Sequence, residues 1–368
     1  MSTDLHEIFL WLVRLGIGNE PVSGSTFQVS GPLSVEDWRA LENLANEQGL
    51  LGVMLDGVEK LPREWRPEKR AIIKSIGQLV QSEQQYAVQE HAATEMALLL
   101  HQHGIRTYVL KGAVVAECYP RPEHRRSVDL DCFLLPEEGL EDVWERGNHV
   151  LEEHGFEVRR DFYKNSTVML PGLTVENHRY LTPFRGNRTL RKLEIWLQAE
   201  IAGQSRNEDE AGRFEGTWLY RPPVMVSALF LIEHSYSHFL HEGLTWRLVL
   251  DWVMFSRRHR DEIDWKELEA RVDEFGFRRF YDSFGRLGVY LVGELTADSL
   301  ELNDRRMLAD IWAPLDVHET VTGLRGKLAL AGNTWRARWK YRLFTDMSWL
   351  RALWIQARGV LFENNPKI

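Results

Sequence analysis

Asp129 and Asp131, separated only by Leu130, are the residues of this chain best spaced to do chemistry. They fall in Val128–Leu135, a short apolar run that reads as a strand. On a strand, side chains two positions apart point to the same face, about 6.6–6.8 Å apart along it. Leu130, Phe133 and Leu135 are expected to make the apolar face and to leave the aspartates together on the other. Two carboxylates that close repel one another unless a cation lies between them. Hard oxygen donors suit magnesium, whose shell is commonly completed by water and substrate phosphates. Taken alone, the pair fits a solvated edge strand equally well.

The neighbourhood adds to the pair. Thr107–Leu110 reads as an earlier strand, followed by Lys111-Gly112 and a short helical stretch from Ala113 to Cys118. A glycine at a strand-to-helix turn lets the backbone approach a phosphate, and the helix start offers free N–H groups. With Asp129-Leu130-Asp131 on the next strand, this resembles the nucleotidyltransferase superfamily that includes DNA polymerase beta. Within it, the chain is similar to a bacterial family of uncharacterised nucleotidyltransferases. The residues that carry the resemblance are Leu110-Lys111-Gly112, Arg125, Asp129-Leu130-Asp131 and Glu176-Asn177-His178. A weaker match runs through His234, His238 and Trp246-Arg247 to Asp251, so the likeness spans residues 105–251. Many superfamily members carry Gly-Gly or Gly-Ser at the turn. Gly112-Ala113 stands here instead, so a serine contact to phosphate is missing.

The resemblance implies a third carboxylate on a later strand, and magnesium, two ions, held by Asp129, Asp131 and that acid. Glu176, on the second arm of a hairpin about Pro171-Gly172, is preferred over Glu194, which lies in a helical stretch. An acid that completes a strand-built site is best fixed on an adjacent strand. The implied reaction moves a nucleoside monophosphate from ATP or another NTP to a hydroxyl and releases pyrophosphate. Lys111, Gly112, Ala113, Arg125 and His178 would stand on the nucleotide side, the cations offsetting phosphate charge. The acceptor, a small molecule or a protein, is not named by the sequence. A catalytically silent nucleotide-binding or scaffold protein on the same fold is the alternative.

His234, His238 and His241 recur on one face of a helix, a spacing that can ligate zinc and would suit a metal hydrolase. The His-Glu-x-x-His pattern is absent, and three histidines on one helix do not readily converge on one ion. The expectation is that this face packs on the core, with His234 and His238 contacting nucleotide or acceptor. Trp246 is either an apolar floor of that pocket or a core residue, and Asp251 is expected to pair with Arg247 one turn away.

These residues need a small mixed sheet to position them. Periodicity is helical before Gly104, strand-like from about Ile105, and helical again after Leu190. The fold class is therefore α+β. Residues 1–104 form an N-terminal helical region, 105–203 the catalytic core and 217–368 a C-terminal helical domain, with polar Gln204–Gly216 as linker. Lys and Arg number 45 against 54 Asp and Glu, a net charge of −9, and no RNA-binding module is recognisable, so nucleic acid is not the expected partner. The stretch Gly323–Ile368 is an exception, basic and rich in aromatics; it reads first as a helix docked on the acidic remainder, and otherwise as a binder of nucleic acid or an anionic membrane surface. Cys118 and Cys132 cannot build a disulfide scaffold or a cysteine zinc site. No apolar run is long enough for a membrane span and no leader is recognisable, so a cytoplasmic protein is expected.

Overall fold

Ser34 opens the first well-marked helix as its sequence suggests. The Ser34 hydroxyl accepts from the Asp37 amide and the Asp37 carboxylate accepts from the Ser34 amide, both at 3.1 Å. Helix α2 (Val35–Glu47) follows. The structure is a computed structural model that describes residues 5–19, 33–138, 142–160, 164–184, 187–207, 212–313, 335–351 and 354. Helices α1 (Leu5–Gly16) and α3 (Leu51–Glu59) cross closely at glycines. A Cβ on Gly57 would lie 1.9 Å from the Leu12 carbonyl oxygen, so only glycine permits this crossing. Helix α4 (Lys69–Gln102) ends at Gly104, whose φ is 69°.

The chain then enters a six-stranded mixed sheet of order β3-β4-β5-β2-β1-β6. Strand β1 (Ile105–Val109) is buried throughout and pairs antiparallel with β2 (Asp129–Pro136). Between them lies the short helix α5 (Ala113–Ala116). Helix α6 (Trp144–Glu153) leads to β3 (Glu157–Arg159). Strands β4 (Asn165–Leu170) and β5 (Leu173–His178) form the expected hairpin, with Gly172 at φ 74°. Strand β5 then lies parallel to β2 in the middle of the sheet. After helix α7 (Arg188–Asn207), residues 208–211 of the expected linker lie outside the described residues. Past that stretch the chain returns to the same sheet, where β6 (Leu219–Tyr220) lies parallel to β1.

Helices flank this core on both sides. The C-terminal set is α8 (Val224–His241), α9 (Trp246–Arg258), α10 (Trp265–Glu274), α11 (Arg278–Leu291), α12 (Leu302–Trp312) and α13 (Arg338–Phe344). Gln48 ties the two ends of the chain together. Its amide donates to the Ile311 carbonyl at 3.0 Å and its oxygen accepts from the Trp246 amide at 2.8 Å. Trp246 is fully buried against Tyr290 and Trp312 and is a core residue, not the floor of a pocket. Helix α13 belongs to the basic stretch and is docked. Tyr341 and Phe344 are buried, and Lys340 Nζ donates to the Phe239 carbonyl and pairs with Asp310, each at 2.7 Å. Much of the remainder of 323–368 lies outside the described residues. Among the described residues, no helix is long and apolar enough to cross a membrane.

Candidate active site

The central strands place the acids. In the parallel pairing of β2 with β5, Asp131 stands opposite Glu176 and Asp129 opposite Thr174. Alternation along β2 puts Leu130, Cys132 and Leu134 on the face away from the aspartates. Phe133 and Leu135 share the aspartates' face further along, which corrects the expected grouping of Leu130 with Phe133 and Leu135. The aspartate face is thus polar only at its start, where it opens to a cavity, and apolar where it enters the core.

A row of polar contacts crosses the cavity floor. His178 Nε2 donates to Asp131 Oδ1 at 2.9 Å and lies 3.6 Å from Glu176. Lys111 Nζ lies 3.1 Å from Asp131 Oδ2 and 3.3 Å from His234 Nε2. Burial alone would push the Asp131 carboxyl up, but Lys111 and the His178 hydrogen bond outweigh it and hold the group well below its ordinary range. Asp129, half-buried, is pushed up by burial and by the neighbouring Asp131. Glu176 is held down by its hydrogen bond to His178. Burial works against charge on His178, but its two carboxylate partners prevail and raise it. His234 is the opposite case: burial, then Lys111, drives it well below its ordinary value, so it is neutral and accepts from the lysine.

The donor set fits a hard cation. One ligand atom each from Asp131, Glu176 and His178 lies within 4.8 Å of the others. Asp131 Oδ2 is buried and has no hydrogen bond, its contact with Lys111 being an ion pair only. The sequence grouped Asp129 with Asp131 and Glu176. Asp129 faces the same cavity one strand step away, and the tight group has His178 in its place.

The other expected residues fall as follows. Gly112 adopts φ 69° and ψ −103°, a conformation suited to glycine, while a Cβ there would meet Ser127 Oγ at an unstrained 3.6 Å. Backbone conformation, not crowding, thus requires the glycine, and Ala113 starts a helix of only four residues. Arg125 lines the cavity, but its guanidinium is buried and bound in a fork to Asp251 at 2.7 and 2.8 Å. Tyr119 adds a 2.8 Å hydrogen bond to Asp251, and the expected partner Arg247 is further away at 3.6 Å. Glu194 is buried and accepts from the Leu181 and Thr182 amides and the Thr182 hydroxyl, at 3.0, 2.7 and 2.9 Å, so it shapes the loop after β5.

The cavity encloses about 430 Å³ between β2, β5 and helix α8. His234 and His238 line it, whereas His241 turns to Tyr341. His238 is paired with Glu242 at 2.8 Å. The sequence reading missed Lys164 and Glu233, both in the cavity wall. The one available signal for Glu233 was a charge following the apolar run Val226–Ile232. Neither a search of curated proteins nor one of solved structures gives a match. A family model described as uncharacterised nucleotidyltransferase matches residues 34–293, which include β1 to β6, the cavity and helices α2 to α11. With most of its length matched, the chain belongs to this family of uncharacterised nucleotidyltransferases.

Proposed function

We propose that the protein is a magnesium-dependent nucleotidyltransferase that moves a nucleoside monophosphate from an NTP to a hydroxyl of a small molecule or protein and releases pyrophosphate. The observation that carries this reading is the register of the two central strands. It sets Asp131 beside Glu176, with Asp129 on the same wall and Lys111 and His178 bound to Asp131. Asp129, Asp131 and Glu176 would hold the metal. When bound, magnesium would neutralise triphosphate charge and lower the pKa of the acceptor hydroxyl. Lys111 faces the cavity from the Gly112 turn and would carry positive charge to the triphosphate. His178 donates to Asp131 and fixes its orientation. Arg125, held by Asp251, acts through the shape and charge of the wall more than as a free hand for phosphate. The acceptor would enter between the hairpin that bears Glu176 and helix α8.

The family membership supports transfer chemistry, and retention of the acids supports turnover over a silent scaffold. The test is incubation with each α-labelled NTP and Mg²⁺, with pyrophosphate release and transfer of label as readouts. One NTP should be turned over, and Asp129→Asn should abolish this. Turnover by Asp129→Asn at the wild-type rate would overturn the assignment.

A further inference from the structure

Glu233 is an unusual residue of the cavity wall. It is 3% exposed, yet it lines the cavity. The other acids there are engaged or open to solvent. Asp131 is held by Lys111 and His178, Glu176 lies near His178, Glu242 pairs with His238, and Asp129 is half-buried. Glu233 has neither a hydrogen bond nor an ion pair among the described residues. Lys164 and His178 act on it only through their fields, and Glu194 adds negative charge. Burial pushes its carboxyl up to about 7. A buried carboxylate without a partner is costly, and the cost falls when a cation reaches it.

No residue of the wall supplies that cation within contact distance, and a neutral hydroxyl acceptor would leave the charge unmatched. We propose that Glu233 seats a positively charged nitrogen of the acceptor, so that the hydroxyl modified belongs to a small amine-bearing compound such as an amino sugar or amino alcohol. The inference rests on the transferase reading of the same cavity. Helix α8 would then bind the amine at Glu233, and the acceptor hydroxyl would face the acids of β2 and β5. Neutral counterparts of the same shape would bind less well, most of all above pH 7, because Glu233 must then stay unpaired or take up a proton.

The test uses the full-length protein with Mg²⁺ and the NTP it turns over. Amino sugars and amino alcohols are each compared with their N-acetylated counterpart, with glucosamine and N-acetylglucosamine as the first pair. Label transfer is measured, and calorimetry reads binding to protein loaded with Mg²⁺ and a non-hydrolysable NTP analogue. At pH 8, where the Glu233 carboxyl is ionised, the free amines should be preferred by roughly 10-fold in both readouts, the cost of protonating that group before a neutral acceptor can be seated. In Glu233→Gln, which keeps the shape, the preference should shrink to about 3-fold or less, with NTP binding unchanged. Three results would overturn the proposal: equal use of amine and N-acetyl forms, no response to any amine while the NTP still binds, or equal loss of both forms in Glu233→Gln. The last would make Glu233 the group that takes the acceptor's proton. If the NTP itself fails to bind with Mg²⁺, the transferase reading falls instead.

Discussion

Asp129 and Asp131 share a strand and a face, yet asparagine at the two positions should act oppositely on the metal-free protein. Asp131 is 2% exposed and carries the Lys111 ion pair at 3.1 Å and the His178 hydrogen bond at 2.9 Å. Asp131→Asn strips the negative charge from between half-buried Lys111 and buried His178, and breaking such a buried pairing costs about 3 kcal/mol. Spread over a chain of 368 residues, that corresponds to a melting temperature lower by roughly 4 °C. Asp129 is the acid that burial and Asp131 push up, so its charge is a burden without metal. Asp129→Asn should leave stability unchanged or raise it slightly. Magnesium should lift wild type above Asp129→Asn. Wild type gains about 2.7 kcal/mol at a hundredfold excess over the dissociation constant. Both variants should lose most of that gain, and both should lose transfer. Thermal or urea unfolding with and without Mg²⁺ reads all of this. If Asp129→Asn destabilised the metal-free protein as much as Asp131→Asn, the division between a metal-facing and an anchored aspartate would be wrong.

Asp251→Asn should cost about 3 kcal/mol near neutral pH, because it leaves Arg125 buried without its partner. The Asp251 carboxyl lies below its ordinary 3.8: burial pushes it up, but Arg125 outweighs this, so its stabilisation is present above that pH and fades as the pH falls further. Unfolding curves of both proteins should therefore converge in acid. Gly57→Ala should destabilise by about 3 kcal/mol in denaturant titration, since the new methyl meets the Leu12 carbonyl at 1.9 Å. His234→Ala and His238→Ala should impair transfer to the true acceptor while NTP binding, read by calorimetry, stays nearly unchanged; wild-type transfer by both would make α8 a packing element only. Glu233→Gln should gain stability relative to wild type as pH rises, by at most roughly 3 kcal/mol. The folded carboxyl sits at about 7 against an ordinary 4.5, so the wild-type loss builds across that window and is complete above it, as melting curves at pH 5 and 8 would show.

What was legible in the sequence was local. The capping box at Ser34 and Asp37, the hairpin about Pro171-Gly172 and the same-face aspartates each depend on residues within a few positions of one another. The order of the sheet was not legible. That β5 lies parallel to β2, with Asp131 opposite Glu176, depends on pairing between segments 45 positions apart, as the numbers of those two residues show. Strand β6 is two residues long and leaves no periodic signal at all.

Arg125 shows why a motif residue can be found while its partner is not. Its place a few positions before Asp129 suggested a hand for phosphate, and a sequence holds nothing that says where a side chain ends. Its fork is taken by Asp251, which lies 126 positions away on helix α9. Asp251 itself seemed satisfied by Arg247 one turn on, because the helical period suggests that contact and no period suggests the other. Buried ion pairs are chosen by which charges the fold removes from water together, and an unpaired buried charge is too costly to leave. The same argument separates Arg125 from Glu233. In both, burial raises the demand for a partner. The fold answers that demand for Arg125 with a residue of its own chain, and among the described residues it leaves Glu233 facing the cavity, where burial raises its carboxyl and the proposed acceptor amine would answer it.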